Sequence, residues 1–297
     1  MFALLTVRVV AGLIAFFVAG VGAFAYFVIH GRPAPAEPAV VEAPKVVGPV
    51  HTVVGTSVEG RSIDAYSYGS GPTQLLFVGG IHGGYEWNSS VLAYSAMDYF
   101  IAHPEAIPQS LTVTVIPAAS PDGTFKVVGK AGRFSAADVP TTVDQSAGRF
   151  NAHGVDLNRN FDCKWQPKST WKERSVSAGT APFSEPEAAA LRDFIQKIHP
   201  TAVVLWHSQA NGVFASQCEN GILPKTLDIM NAYATASGYP AIQTFDAYPT
   251  TGAAEDWLAK VGIPAITVEL TTHEGIEWEK NLAGITALID YYGQKNQ

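Results

Sequence analysis

Two segments of the chain place a histidine directly behind an apolar run. In IHGGYEWN, residues 81–88, His82 follows the run Leu75–Val78 and Glu86 stands where a helix would begin. An imidazole and a carboxylate this close form half of a zinc site. Taken separately, they read as a hydrogen-bonded histidine at a strand end and a carboxylate favoured by a helix N-terminus. In VLWHSQ, residues 204–209, His207 follows a second such run. Alone it reads as a satisfied core histidine. With the other two it supplies a third ligand, leaving a fourth position open for water, the arrangement of a catalytic zinc. Glu269, near the end of the apolar PAITVEL, is costly to bury unless it is paired or useful. It reads either as half of a buried salt bridge or as a general base beside the metal site, taking a proton from water and passing it to a leaving amine.

A second group of residues suits substrate recognition. GVDLNRNFD, residues 154–162, sets Asn158 beside Arg159 in a polar loop. Arginine grips a carboxylate bidentately and asparagine adds a neutral donor, a pair suited to a free C-terminal carboxylate. Arg149, in GRFNAHG, is placed to stabilise a developing oxyanion, with Arg133 a second candidate in the same long loop. Asp156 is expected to order the loop rather than to touch substrate.

These residues need a scaffold. His51–Thr56 and Ser62–Tyr68 read as strands around a Glu-Gly turn. Short continuous apolar runs at Leu75–Val78, Leu111–Ile116, Ala202–Trp206 and Ala265–Leu270 read as strands buried on both faces. Helical stretches lie near residues 88–103, 185–198, 225–237 and 276–292. Ser184, Pro186 and Glu187 predict a capping box at the start of the second. Strands alternating with helices imply an α/β layer fold with a largely parallel central sheet, whose ligands bind beyond the carboxyl ends of the strands.

The 297 residues carry a net charge of −7 and no basic tract, which argues against a nucleic-acid partner. Residues 1–30 contain the uncharged run 9–29, long enough for a transmembrane anchor, with a cleaved signal sequence as the alternative. Residues 31–50 form a Pro/Ala-rich spacer, and residues 51–297 the catalytic domain. The expected location is membrane-anchored with the catalytic domain outside the cytoplasm, or secreted after cleavage.

Together the segments resemble the zinc carboxypeptidase family, the carboxypeptidase A/B type and its bacterial relatives, over roughly residues 51–293. The landmarks follow the family's order: His82 and Glu86 after a strand, SPDG at 120–123, GVDLNRNF, the pair His207-Ser208, Tyr248 eight residues before Asp256-Trp257, and a strand ending in Glu269. The resemblance implies a three-layer α/β/α sandwich around a mixed, mainly eight-stranded sheet. It implies one Zn2+ on His82, Glu86 and His207. Asn158, Arg159 and Tyr248 would anchor the terminal carboxylate, Arg149 would polarise the scissile carbonyl, and Glu269 would be the base. Glu255, just before the Asp-Trp pair, would line the pocket for the departing side chain and favour a cation there. The other reading of Glu255 is a solvent-facing residue at a helix start.

One departure stands out. The family has two residues between its first His and Glu, and this chain has three, Gly83, Gly84 and Tyr85. A bulge at the glycines would absorb the extra residue; a degraded, metal-free site is the competing explanation. Cys163 and Cys218 flank segments that should approach the site, so a disulfide is expected in an oxidising compartment, against two separate buried thiols. The activity implied is hydrolysis of a peptide bond next to a free C-terminal carboxylate. Alternatives are a cell-wall muropeptide peptidase of the same fold, a catalytically inactive tethered binding domain, and a zinc amidohydrolase that deacylates amino acids. The expected substrate is a peptide or muropeptide with a free C-terminus.

Overall fold

The computed structural model describes residues 48–294. The expected anchor or signal segment and most of the spacer lie outside the described residues. Among the described residues no helix is long and apolar enough to cross a membrane.

The scaffold is an eight-stranded mixed sheet of β1 (Val50–Thr56), β2 (Ser62–Gly69), β3 (Thr73–Val78), β4 (Leu111–Ile116), β7 (Ala202–Ser208), β8 (Gly212–Ala215), β11 (Ala241–Ile242) and β12 (Ala265–Leu270). Their order across the sheet is β1-β2-β4-β3-β7-β12-β8-β11. The central run β4-β3-β7-β12 is parallel, as are β8 and β11. β1 pairs antiparallel with β2, β2 with β4, and β12 with β8, so the sheet is more mixed than the apolar runs alone suggest. β5 (Lys168–Trp171) and β6 (Arg174–Ser177) form a separate hairpin, and β9 (Gln217–Cys218) and β10 (Gly221–Ile222) another.

Helices cover both faces. Alternate residues of a strand point to opposite sides. Leu75, Phe77, Val204 and Trp206 thus join one core cluster with α1 (Trp87–Ala102), α4 (Pro224–Ser237) and α6 (Trp278–Gln294). Leu76, Val78, Val203 and Leu205 join another with α3 (Pro186–Ile198) and α5 (Ala254–Lys260). The result is the expected α/β/α sandwich. Burial of both strand faces explains why these strands read as continuous apolar runs.

Two local expectations fail. No capping box forms at α3, whose N-cap is Glu185 without a side-chain cap. Glu187 instead accepts hydrogen bonds from the Val58 amide (3.2 Å) and Asn151 Nδ2 (3.1 Å), tertiary donors that outcompete the local one. A helix α2 (Pro121–Val128) begins at the SPDG segment, where the apolar pattern gave no helix.

Candidate metal and active site

Parallel pairing of β3 with β7 brings both histidines to the same sheet edge. β3 ends at Val78, and His82 follows four residues later; His207 is still within β7. The extra residue after His82 makes no bulge. Gly83–Glu86 form one 3-10 turn that leads into α1. Gly83 has φ +47, and a Cβ there would lie 2.6 Å from the Gly148 carbonyl oxygen and 2.7 Å from Gly123. Backbone therefore packs on backbone at this point, which carries the next residue, Arg149, to the side of Glu86.

His82, Glu86 and His207 form the cluster of metal-ligating type, all three buried, with ligand atoms within 4.8 Å of one another. Glu86 Oε1 lies 2.8 Å from His82 Nδ1, and Oε2 lies 3.0 Å from His207 Nδ1. The two Nδ1 atoms are 3.2 Å apart. Two nitrogens each bound at about 2.0–2.1 Å to one tetrahedral zinc would stand about 3.3 Å apart. The donor set and its convergence therefore fit zinc. The Ser208 amide also donates to Glu86 Oε2 (3.2 Å), fixing the carboxylate. His82 Nε2 faces Asp156 Oδ1 at 3.4 Å, the carboxylate-on-histidine support typical of metal ligands.

The field of the cluster favours a cation. Burial works against ionising Glu86, yet His82 and His207 hold its carboxyl well below the usual range. Burial likewise opposes a charged His207, but Glu86, Glu269 and Glu255 outweigh it and raise its pKa to about 9. Asp156 is also held low against the burial penalty, by Arg149, Arg159 and His82.

The pocket in front of the cluster has a volume of about 560 Å³ and is lined by Arg149, Asn158, Arg159, Tyr248, Glu255 and Glu269, among others. Arg149 donates from Nε to Asp156 Oδ2 (2.9 Å), and its guanidinium lies 4.6 Å from the Trp171 ring centre. Asp156 also accepts from the Asn158 amide (3.1 Å), so it both orders the loop and orients Arg149. Arg133, the other arginine weighed at this position, pairs with Asp98 and is half exposed, away from the pocket. Arg159 donates to the carbonyls of Asn158 (2.6 Å) and Thr170 (3.0 Å from Nη2). Tyr248 packs on Phe245 with ring centres 4.9 Å apart. Burial raises its hydroxyl pKa, and Arg149 and Arg159 partly offset the rise.

Glu269 lies in register with His207 on the neighbouring strand and accepts from the Ala210 amide at 3.1 Å. Burial pushes its carboxyl up to about 7; His207 opposes the shift and Glu86 adds to it. A carboxyl poised near neutrality suits a group that both takes and returns a proton.

Glu255 faces the pocket, with Oε1 3.4 Å from Asn158 Nδ2 and Oε2 buried without a hydrogen-bond partner. The solvent-facing alternative for Glu255 therefore fails. Asp256 lines the same pocket, which the sequence gave no reason to expect, since an acidic pair also reads as an ordinary helix start. Burial and then Glu255 push its pKa up to about 7. Other lining residues missed are Tyr85, Trp171 and Lys172. Tyr85 sits in the extra-residue turn and was the one signal available.

Cys163 and Cys218 form a disulfide with a Cα–Cα distance of 6.1 Å. Between Arg159 and Cys163 the chain also clasps Gly252: Phe161 donates to its carbonyl (2.9 Å) and Gly252 donates to that of Cys163 (2.8 Å). A Cβ at Gly252 would lie 2.1 Å from the Arg159 carbonyl oxygen. The Asn158-Arg159 loop is thereby bound to the segment carrying Tyr248 and Glu255.

Known proteins share this architecture. The chain is 24% identical over 241 residues to gamma-D-glutamyl-L-diamino acid endopeptidase 1 of Lysinibacillus sphaericus, covering 74% of this chain and 60% of that protein. It is 30% identical over 131 residues to murein peptide amidase A of Escherichia coli K12, covering 41% of this chain and 50% of that protein. Each match thus spans less than two thirds of the relative's own length. The fold is shared with murein-tripeptide amidase from E. coli O157, with a TM-score of 0.59 and 23% identity over 85% of this chain and 96% of that one. It is also shared with bovine thrombin-activatable fibrinolysis inhibitor, solved in complex with tick carboxypeptidase inhibitor, with a TM-score of 0.66 and 19% identity over 84% and 92% of the two chains. A family model for zinc carboxypeptidases matches residues 42–283, and the chain belongs to that family.

Proposed function

We propose that the protein is a zinc-dependent peptide hydrolase that releases a terminal residue bearing a free carboxylate and a cationic side chain, with wall-derived peptides ending in a diamino acid as the substrate class. The observation that carries this reading is the pair Glu255 and Asp256 set beside Asn158 and Arg159 in one pocket. Two neighbouring carboxylates, one with a buried oxygen lacking a partner, are costly without a positive charge to receive. Arg159 and Asn158 suit the carboxylate of the same leaving residue. Two relatives named for diamino-acid and murein peptide substrates support the class.

His82, Glu86 and His207 would hold the zinc, which when bound polarises a carbonyl and lowers the pKa of water. Glu269 takes the proton of the attacking water and returns it to the leaving nitrogen. Arg149, oriented by Asp156, presents its Nη groups toward the scissile carbonyl oxygen as negative charge develops there. Tyr248 closes over the terminal carboxylate from the side of Phe245. The Cys163–Cys218 disulfide supports an oxidising compartment, outside the cytoplasm, as the place of action.

The test is mass spectrometry of paired peptides ending in a diamino acid, Lys or Phe, with zinc and with chelator. Zinc-dependent release of the cationic residues ahead of Phe is expected, and Glu255→Gln should lower the Lys-to-Phe ratio of kcat/KM. Equal release of Lys and Phe, or cleavage at internal bonds alone, would overturn the reading.

A further inference from the structure

The pocket is lined by residues from both sides of the metal cluster. Phe214, Thr267, Gln217, Glu255 and Asp256 line the end near β8 and β12, where the leaving residue is placed above. The opposite end, on the β3 side, is lined by Tyr85, Trp171, Lys172 and Glu173. Tyr85 immediately precedes Glu86, and the β5–β6 hairpin brings Trp171 and Lys172 over it. With the leaving residue at the Glu255 end, the part of the substrate that precedes the scissile bond faces this wall.

Lys172 is the unusual member. Trp171 pairs with Arg174, so Lys172 and Glu173 form a two-residue hairpin turn. Lys172 has φ +54, a region that favours Gly, Asn or Asp in such turns. Its ammonium donates to no carboxylate among the described residues. It donates instead to the Tyr85 hydroxyl at 3.3 Å and lies 5.8 Å from the Trp171 ring centre. Tyr85 is itself clamped, with ring centres 5.0 Å from Trp171 and 4.5 Å from His273. Glu173 is the sole acidic residue at the hairpin tip, and Arg174 follows it, 5.7 Å from the Trp171 ring centre. The result is a packed tyrosine hydroxyl and an ammonium in no ion pair among the described residues, side by side in the pocket lining.

We infer that Lys172 and Tyr85 form a carboxylate subsite for the residue on the acyl side of the scissile bond. The inference rests on the proposed assignment of the Glu255 end to the leaving residue. A γ-linked glutamyl residue suits the subsite, because linkage through its side chain leaves its α-carboxylate free next to the bond that is cut. An α-linked Asp or Glu would offer the same charge from its side chain.

The experiment uses the full-length zinc-loaded protein and peptides sharing one leaving diamino acid. The acyl residue is γ-linked Glu, the same residue with its α-carboxylate amidated, α-linked Glu, or α-linked Gln. Charge-assisted hydrogen bonds at a partly exposed site predict an acid-over-amide ratio in kcat/KM of about 10 for the γ-linked pair. Lys172→Met should collapse that ratio toward one, Lys172→Arg should retain it, and Tyr85→Phe should reduce it. An acid-over-amide ratio near one in the wild type, or one that Lys172→Met leaves intact, overturns the subsite while leaving the proposed function standing. Cleavage confined to the α-linked pair, with Glu favoured over Gln through Lys172, upholds the subsite and overturns wall-derived peptides as the substrate class.

Discussion

His82 stands four residues past the end of β3 and His207 within the neighbouring parallel β7, both almost wholly buried, whereas Lys172, Tyr248 and Glu255 hang from a hairpin turn, a loop and the first turn of a short helix. The metal cluster is thus fixed by the core itself: its position follows from the register of β3 on β7 and from packing that cannot shift without disturbing the sheet. The substrate walls are fixed by cross-links, namely the Cys163–Cys218 disulfide, the Gly252 clasp and the edge-on and tilted ring contacts of Tyr85. Loops carried by a rigid scaffold can vary their side chains at little cost in stability. On the proposed assignment, reaction type and substrate choice are stored in separate parts of this chain.

That separation can be broken from the core side first. His207→Ala should reduce hydrolysis to background and lower zinc content below one per chain, measured by elemental analysis beside kcat/KM. Full activity with a metal-free protein would remove the cluster from the reaction. Glu269→Gln should lower kcat by about 10²–10⁴-fold while zinc content stays unchanged, because its proposed role is proton transfer and it is outside the ligand set. Loss of zinc in that variant would merge base and ligand roles. On the substrate side the effects should be smaller. Amidating the terminal carboxylate removes charge-assisted hydrogen bonds worth about 1.5–3 kcal/mol each, or about 10–100-fold in kcat/KM. Arg159→Gln should erase the difference between acid and amide, and an undiminished difference would point away from Arg159.

The smallest expected effect is on stability. Asp256 has its folded pKa raised from 3.8 to about 7, by burial and by Glu255. Its favourable contribution is therefore complete below about pH 3.8 and is lost as pH rises through about 7. Asp256→Asn removes this loss and keeps an acceptor for the Gln217 amide, which now donates to Oδ1 at 3.1 Å. The Tm of the variant relative to wild type should climb between pH 5 and pH 8. A difference that stays flat with pH would show that the acidic wall stores no charge repulsion.

The same division decides what the sequence made legible. Strands buried on both faces announce themselves as apolar runs, and residues at their ends, such as His82 and His207, could be placed from sequence. The resemblance to zinc carboxypeptidases rested on those positions and on GVDLNRNF, and the family and the sandwich fold both held. The capping box at Ser184 failed because Glu187 has better partners far away in sequence. The hairpin at 168–177 was invisible because Lys-Glu at its tip lacks the usual turn residues, and contact with the site rather than local preference holds it. Asp256 was hidden by ambiguity, since acids near a helix start satisfy the helix dipole as readily as they line a pocket.

The disulfide has a further consequence for how the molecule survives damage. Cys163 and Cys218 enclose the hairpin whose tip, Lys172–Ser175, is exposed and carries two basic residues. A trypsin-like cut at Lys172 or Arg174 would sever the main chain between them without separating the pieces. His82 and Glu86 would stay on one fragment, His207 and Glu269 on the other, with the cystine and the shared sheet holding them together. A nicked protein would therefore persist as a two-chain molecule that comes apart on a gel only under reducing conditions.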